Sequence, residues 1–414
     1  MGRAMTSNRM STAWLVVLLL TPVAFLNYLD RQMLSSMKLS VVDDITDITS
    51  MADWGYMLGQ FKWVYAVLSP VGGLLADRLG RKLVICSSLF AWSLVTWLTG
   101  QVDSYQGLLL TRTLMGISEA FYIPAALALI SDHHQGPTRS RAVGIHQTAI
   151  YLGVIAGGFG GYAAASPMLG WRMAFTACGI GGALYAVPLF VFLREASDAR
   201  HGQESPAREP FLPGLLELLT NGSFLLLVIY FTLPALAGWV VRDWMPDVLR
   251  ERYGIGQGLA GVSATLYWQV AAIIAAIAGG ALADRWSARS HRGRIHVSAL
   301  GMALIVPAIL GVGFAGSLFS AVACLVLFGI GWGFFDGNNM PILCQIVRPR
   351  LRATGYGIMN LVSISCGGLA DWAFGTLRDN HVPLEIIFGV FSSLAALSAG
   401  LVLLIRPRKE LLET

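Results

Sequence analysis

The sequence predicts an all-α membrane protein of twelve transmembrane helices in two pseudo-symmetric six-helix bundles. Composition is the first reason. Of 414 residues, 55% are hydrophobic and 13% charged, where soluble globular proteins carry about 25% charged residues. Apolar runs of about 20 residues, enough to cross a bilayer core, recur from end to end. The second reason is charge asymmetry, and the third is an internal repeat.

Breaks at charged and Gly/Pro clusters delimit twelve spans: 12–38, 54–76, 82–101, 105–131, 141–163, 171–193, 223–247, 258–283, 296–316, 318–346, 353–377 and 383–405. Arg3 and Arg9 precede the first run as they would precede a signal peptide. The run is too long for one and lacks a small-x-small cleavage site, so it reads as a retained first helix. Between the sixth and seventh spans lies the longest polar interruption, REASDARHGQESPAREPFLPGLLELLTN. It divides the chain into an N-terminal bundle (1–193), a cytoplasmic linker (194–222) and a C-terminal bundle (223–414). Within the linker, LPGLLELL has the character of a short interfacial helix.

With both termini in the cytoplasm, 20 of the 29 basic residues fall on inner segments, 5 on outer ones and 4 (Arg31, Lys62, Arg112, Arg242) within spans. Positive charge concentrates on the cytoplasmic side of membrane proteins, so this imbalance fixes the expected topology in an inner membrane. It also gives the net charge of +5 a partner in anionic lipid headgroups and excludes nucleic acid. The repeat pairs GGLLADRLGRK, Gly72 to Lys82, with GGALADRWSARSHRGR, Gly279 to Arg294. A looser echo pairs SRAVG, Ser140 to Gly144, with LRATG, Leu351 to Gly355, at equivalent places in a six-plus-six arrangement.

GGLLADRLGRK resembles the loop between the second and third helices of the major facilitator superfamily, and the resemblance covers essentially the whole chain. NYLDR in the first span, RTLMGISEAFYIP in the fourth, the GWR of Gly170 to Arg172 and WMPDVL after the seventh span resemble the anion:cation symporter family. NYLDR and the G-x-x-EA-x-Y pattern are also similar to spinster-type lysolipid transporters. The resemblance implies alternating access, two bundles rocking about a site near the bilayer midplane. It implies a conformational latch from Gly73, Asp77, Arg78 and Arg81, with Asp284 and Arg285 as its second copy.

Charges inside spans are costly and mark function. At 1.5 Å rise per residue, Asp30 and Arg31 lie about 18 residues into the first span. Lys62 lies about 8 residues into the second and Glu119 about 14 into the fourth, so all four fall between the midplane and the outer half. Glu119 and Asp30 are the expected proton-coupling residues, because a carboxyl group shielded from water can load and release a proton; their counterparts in related symporters support this. The alternative is a structural Glu119–Arg112 or Asp30–Arg31 pair, although neighbours about 100° apart on a helix pair poorly. Arg31 offers a planar fork of donors suited to carboxylate or phosphate, and Asn27 shares its face. Lys62 adds a positive point or snorkels to the interface. Arg112 is expected to pair helices.

His146, Gln147 and Tyr151 in the fifth span, Tyr267 and Gln269 in the eighth, Asp336, Asn338 and Asn339 in the tenth and Asn360 in the eleventh are candidate cavity residues. From these, Tyr151, Gln147, Gln269, Asn338, Asn339 and Asn360 join Asn27, Arg31 and Lys62 as the expected substrate-binding set. FFDGNNMP either breaks its helix locally or kinks it. GVIAGGFGG resembles an antiporter glycine motif without its proline and reads as close helix packing, which argues against exchange.

Enzyme chemistry has no motif here: no phosphate-cradling loop, no nucleophile signature and no metal-spaced His/Cys set. The five cysteines are scattered in apolar runs as small core residues. His133 and His134, beside Asp132, read as a solvated turn. The expectation is a monomeric secondary transporter with H⁺ as coupling ion and no other cofactor. Its substrate is a small organic anion such as a sugar acid, or alternatively a lysophospholipid or another amphiphile.

Overall fold

The computed structural model describes residues 2–134, 137–195 and 211–408. All regular structure among them is helical: α1 (Gly2–Ser36), α2 (Lys38–Asp44), α3 (Met51–Leu79), α4 (Arg81–Thr99), α5 (Tyr105–Glu119), α6 (Tyr122–His133), α7 (Pro137–Gly158), α8 (Gly160–Ala165), α9 (Gly170–Phe192), α10 (Phe211–Thr220), α11 (Gly222–Tyr253), α12 (Gln257–Ser287), α13 (Gly293–Phe314), α14 (Leu318–Ile346), a 3-10 turn (Pro349–Leu351), α15 (Arg352–Asp379) and α16 (Leu384–Leu404). Among the described residues, ten helical stretches are long and apolar enough to cross a membrane. The 29 residues of α3 and 28 of α15 have the length but not the apolarity. Asp53, Gln60 and Lys62 interrupt the first, and Asn360, Asp371 and several hydroxyl residues the second.

The chain separates into two compact units. One comprises Met1–Thr49, Gln60–Pro206 and Gly256–Gly261; the other comprises Ser50–Gly59, Ala207–Ile255 and Val262–Thr414. In the first unit α1 packs along α7, and α4 packs along α9 and α5. The GVIAGGFGG run makes the α1–α7 contact close, in line with the packing expected of it. A side chain at Gly153 would run into the Phe25 carbonyl, and one at Gly157 would stand 2.8 Å from the Leu29 carbonyl. Small residues let helix backbones approach in lipid, where packing rather than water exclusion drives association. Gly170 sits at φ 65°, a left-handed conformation glycine adopts without Cβ strain. That turn aims Trp171 and Arg172 at Asp44, the last residue of α2: the indole Nε1 donates at 2.9 Å and the guanidinium Nε at 2.8 Å.

The second unit is built on α13 against α14 and α16, and on α11 against α15 and α16. Its interior holds a run of rings, Trp268, Phe328, Trp332 and Phe335, with successive centroids 5.2–5.6 Å apart, and Tyr230 and Phe231 both pack on Phe335 at 5.4 and 5.8 Å. Both Asp379 oxygens accept the first amides of α3, from Met51 at 2.9 Å and Ala52 at 2.8 Å. That arrangement satisfies donors a helix N-terminus leaves open. The LPGLLELL stretch forms α10. Asn221 follows it and caps α11, its side-chain oxygen accepting from Ser223 and Phe224. The linker residues 196–210 lie outside the described residues.

Helix interruptions differ from the sequence reading at several points, the predicted fifth span among them, which divides into α7 and α8 at Phe159. The predicted fourth span divides into α5 and α6 at Ala120 and Phe121. Pro124 has no N–H to return to the Ala120 carbonyl, and the Ser88 hydroxyl takes the nearby Ser118 carbonyl instead. FFDGNNMP, where a break was one expectation, runs unbroken inside α14. Asn338 there donates to the Phe334 carbonyl at 2.9 Å, keeping its polar group on the helix itself.

Candidate functional site

The site in the first unit begins with Asn27, Asp30 and Arg31 on α1. Successive helical residues point about 100° apart, and Asp30 and Arg31 accordingly find different partners. Asp30, 3% exposed, accepts a hydrogen bond from the Thr96 hydroxyl of α4 at 2.9 Å. The Nε of Arg31 donates to Oε2 of Glu119, fully buried at the end of α5, at 2.6 Å. The Glu119 partner is therefore Arg31 rather than Arg112, and Asp30 and Arg31 do not bond each other. Arg112 is also buried; its Nη2 reaches the Thr99 hydroxyl of α4 at 3.4 Å. Asp30, Arg31, Arg112 and Glu119 nevertheless act on one another electrostatically, two guanidinium groups beside two carboxyl groups.

Arg31 is also enclosed by rings. Its guanidinium carbon lies 4.8 Å from the Tyr28 and Phe61 ring centres and 4.7 Å from that of Tyr65. Ring faces attract cations, more so when both are desolvated. Gly116 admits α3 to α5 at this level: a side chain there would stand 2.8 Å from the Phe61 carbonyl. Lys62, 3% exposed, follows Phe61 and is buried within the unit.

Hydrogen bonding in this buried site is incomplete. Arg31 Nη2, Glu119 Oε1, Asp30 Oδ1 and Arg112 Nε are buried without a hydrogen-bond partner. Asn27 approaches Glu119, yet neither of its amide atoms closes a well-formed bond. Buried polar groups are normally satisfied, and here four open donors and acceptors belong to the same group of charged residues.

Gln269 and Asn339, 0% and 2% exposed, have both side-chain polar atoms buried without partners. Asn338 is buried too, with its Oδ1 open. Asn360 is half-buried, and Tyr267 and Asp336 are exposed. On α7 of the first unit, Gln147 and Tyr151 are half-buried, whereas His146 is buried and its Nε2 lies 2.9 Å from the Tyr122 hydroxyl.

At the repeated loop, Gly73 and Asp77 fall outside the residues whose surroundings are described. Arg78 is exposed, and Arg81 pairs with Asp132 and donates to the Ala128 carbonyl at 2.6 Å. Glu195 accepts the Lys82 amide at 2.7 Å, an acid over the start of α4. In the second copy Asp284 of α12 pairs with Arg294 in the first turn of α13 at 2.6 Å, and Arg285 is exposed. The expected solvated turn at Asp132–His134 is corrected in part. His134 is 1% exposed and packs on Trp14 with ring centres 4.6 Å apart, since the chain turns inward after α6.

Sequence reasoning missed Tyr28, Phe61, Tyr65 and Thr96. Tyr28 stands three residues from Arg31, and Phe61 and Tyr65 are four apart beside Lys62, so helical spacing could have found these rings. Thr96 carries no such signal within its apolar run.

Comparison with known proteins completes the description. A family model of the Major Facilitator Superfamily matches residues 20–370. The chain is 27% identical to an MFS-type efflux pump of Mycolicibacterium smegmatis, over 89% of this chain and 85% of that protein. It is 28% identical to protein spinster homolog 1 of Xenopus tropicalis, over 88% and 72%. It is 26% identical to a probable L-galactonate transporter of Escherichia coli, over 60% and 57%. Among solved structures, a bacterial homolog to the human lysosomal transporter spinster, inward-facing and unoccupied, superposes with a TM-score of 0.82 at 21% identity. It covers 95% of this chain and 97% of that one.

Proposed function

The chain belongs to the major facilitator superfamily, and we propose that it is a proton-coupled symporter of a small organic anion, a sugar acid or similar carboxylate. In this reading the twelve spans form two six-helix bundles with both termini in the cytoplasm, and the protein works as a monomer in an inner membrane. The observation that carries the reading is the Arg31–Glu119 pair with an open donor and an open acceptor beside it. While Glu119 is ionised it occupies Arg31. A proton on Glu119 weakens that attraction and frees the guanidinium fork for a substrate carboxylate, whose arrival the rings of Tyr28, Phe61 and Tyr65 shelter from water. Proton and anion then favour each other's binding, which is the thermodynamic requirement for symport. Asp30, held by Thr96 and coupled to the same charges, is the second proton carrier. Asn27 and Lys62 extend the anion-binding surface, and Gln147 and Tyr151 of α7 belong to the same substrate-binding set. The carboxamides of Gln269, Asn338, Asn339 and Asn360 suit the hydroxyls of a polyhydroxylated substrate. The E. coli relative named as a probable L-galactonate transporter supports this class.

Uptake of hexonates and hexuronates into proteoliposomes, with and without an inward proton gradient, tests the reading. Accumulation that follows the gradient and is lost in Glu119→Gln is expected; uptake indifferent to the gradient would overturn it. A second reading rests on the rings around Arg31 and the similarity to spinster homologues: transport of a lysophospholipid or other amphiphile, its headgroup on Arg31. Binding of lysolipids but not of sugar acids in the same preparation would establish this reading over the first.

A further inference from the structure

His146 is the one buried imidazole bonded to a neighbouring side chain among the described residues, and the anion site leaves it unused. It sits nine residues into α7, about 14 Å along the axis from the helix start, towards the end of the first unit that carries Arg81 and Asp132. Its Nε2 lies 2.9 Å from the Tyr122 hydroxyl, which also reaches the Leu20 carbonyl at 3.2 Å. Tyr122 is itself fully buried, edge-on to Trp92 at 5.4 Å, and stands three residues past Glu119, just beyond the break between α5 and α6. Tyr28 on α1 and Tyr185 on α9 act on it electrostatically, and Tyr28 is one of the rings over Arg31. The Tyr185 hydroxyl donates to the Leu19 carbonyl at 2.9 Å. Tyr28 thus lies over Arg31 and also acts on Tyr122, and Tyr122 bonds His146. Among the described residues, Tyr122 from α6 is the titratable group bonded to it.

A histidine packed only for volume needs no such bond, and an aliphatic residue would fill the space without a polar atom to satisfy. We propose that Tyr122 and His146 relay the coupling proton between Glu119 and the Arg81–Asp132 end of the first unit. The inference rests on the proton-coupled reading. In the relay, a proton from the carboxylic acid of Glu119 reaches the Tyr122 oxygen, by way of water or the Tyr28 hydroxyl. The Tyr122 hydrogen passes to His146 Nε2, and the resulting imidazolium releases its Nδ1 proton to water. Charge and hydrogens balance: the carboxylate and a hydrated proton are the products, and phenol and imidazole are regenerated in the other tautomer. Rotation of the ring or return of the proton resets it. The two acceptors of the Tyr122 hydroxyl, Leu20 O and His146 Nε2, give the hydrogen two resting positions.

The test compares the full-length wild type, His146→Gln and Tyr122→Phe in proteoliposomes. Gln keeps a polar group near Tyr122 but cannot carry a proton, and Phe keeps the ring packing but removes the hydroxyl. Two rates are read with a hexonate as probe: accumulation driven by a proton gradient, and counterflow exchange at equal pH, in which the carrier can shuttle loaded without releasing its proton. For each variant the expected result is gradient-driven accumulation slowed by about tenfold or more, in the range of acid–base groups, with counterflow and probe affinity held near wild type. Wild-type coupling with unchanged accumulation in both variants would overturn the relay and leave the coupling reading intact. Equal loss of accumulation and counterflow would show a structural role and also overturn it. A wild type indifferent to the gradient would overturn the coupling reading and the relay with it.

Discussion

Arg31 Nε and Glu119 Oε2 meet at 2.6 Å across 88 residues of chain, with Glu119 fully buried and the Arg31 side chain 15% exposed. This bond ties the two sequence segments, NYLDR and ISEAFYIP, into one electrostatic object. Removing one partner of a buried pair strands the other charge, at a cost of about 3–5 kcal/mol. Glu119→Ala is therefore expected to lower the unfolding temperature in detergent markedly. The Arg31→Ala/Glu119→Ala double variant should be less destabilised than the two single losses added together, since contacting residues are non-additive. A double variant whose loss equals the sum would show that the bond contributes no coupling.

The Thr96 hydroxyl holds Asp30 at 2.9 Å. Thr96→Val keeps the shape and removes the donor, leaving a buried carboxyl oxygen open at a cost of about 1–3 kcal/mol. Thr96→Ser should restore most of it. The thermal midpoints of the three proteins check this, and equal midpoints for Val and Ser would count against the bond.

Gln269 and Asn339 carry open amide atoms in a buried setting. If they serve substrate hydroxyls, Gln269→Leu and Asn339→Leu should raise KM for a polyhydroxylated acid by about tenfold while changing little for a deoxy analogue of the same charge. A uniform change for both ligands would point to packing alone.

Gly153 faces the Phe25 carbonyl without room for a methyl group. Gly153→Leu should push α7 off α1, costing at least about 1–3 kcal/mol as overpacking does, and should distort the Asp30–Arg31 segment downstream. Reduced monodisperse yield with weakened probe binding is the expected outcome, measured against Gly181→Leu, which has open space at its Cβ position.

Much of the long-helix pattern and the charged members of the site were legible in the sequence because each rests on one strong local signal. A run of 20 apolar residues is its own evidence, and Asp30, Arg31, Lys62 and Glu119 stand out against such a background. Which charge meets which was not legible. Spacing excludes Asp30–Arg31, but choosing between Arg31 and Arg112 for Glu119 depends on how α1, α3 and α5 rotate about their axes. Rotation is set by small residues such as Gly116 and Gly153, whose meaning appears only with the partner helix in place. The ring enclosure of Arg31 was half visible in the four-residue spacing of Phe61 and Tyr65. The burial of His134 had no sequence mark, since it follows from the direction the chain takes after α6 ends.

The polarity of α3 and α15 has a consequence for how the protein is made. A helix entering the bilayer alone must partition by its own hydrophobicity, and a lysine near its middle opposes this by about 2.5–3.5 kcal/mol. Lys62 ends up 3% exposed, sheltered by protein, so α3 is a poor solitary passenger through the translocation machinery. Its contacts in the folded protein come from residues later in the chain: Gly116 of α5 at its middle, and Asp379, more than 300 residues on, at its first turn. The polarity of α3 thus makes its place in the bilayer depend on the helices that pack against it.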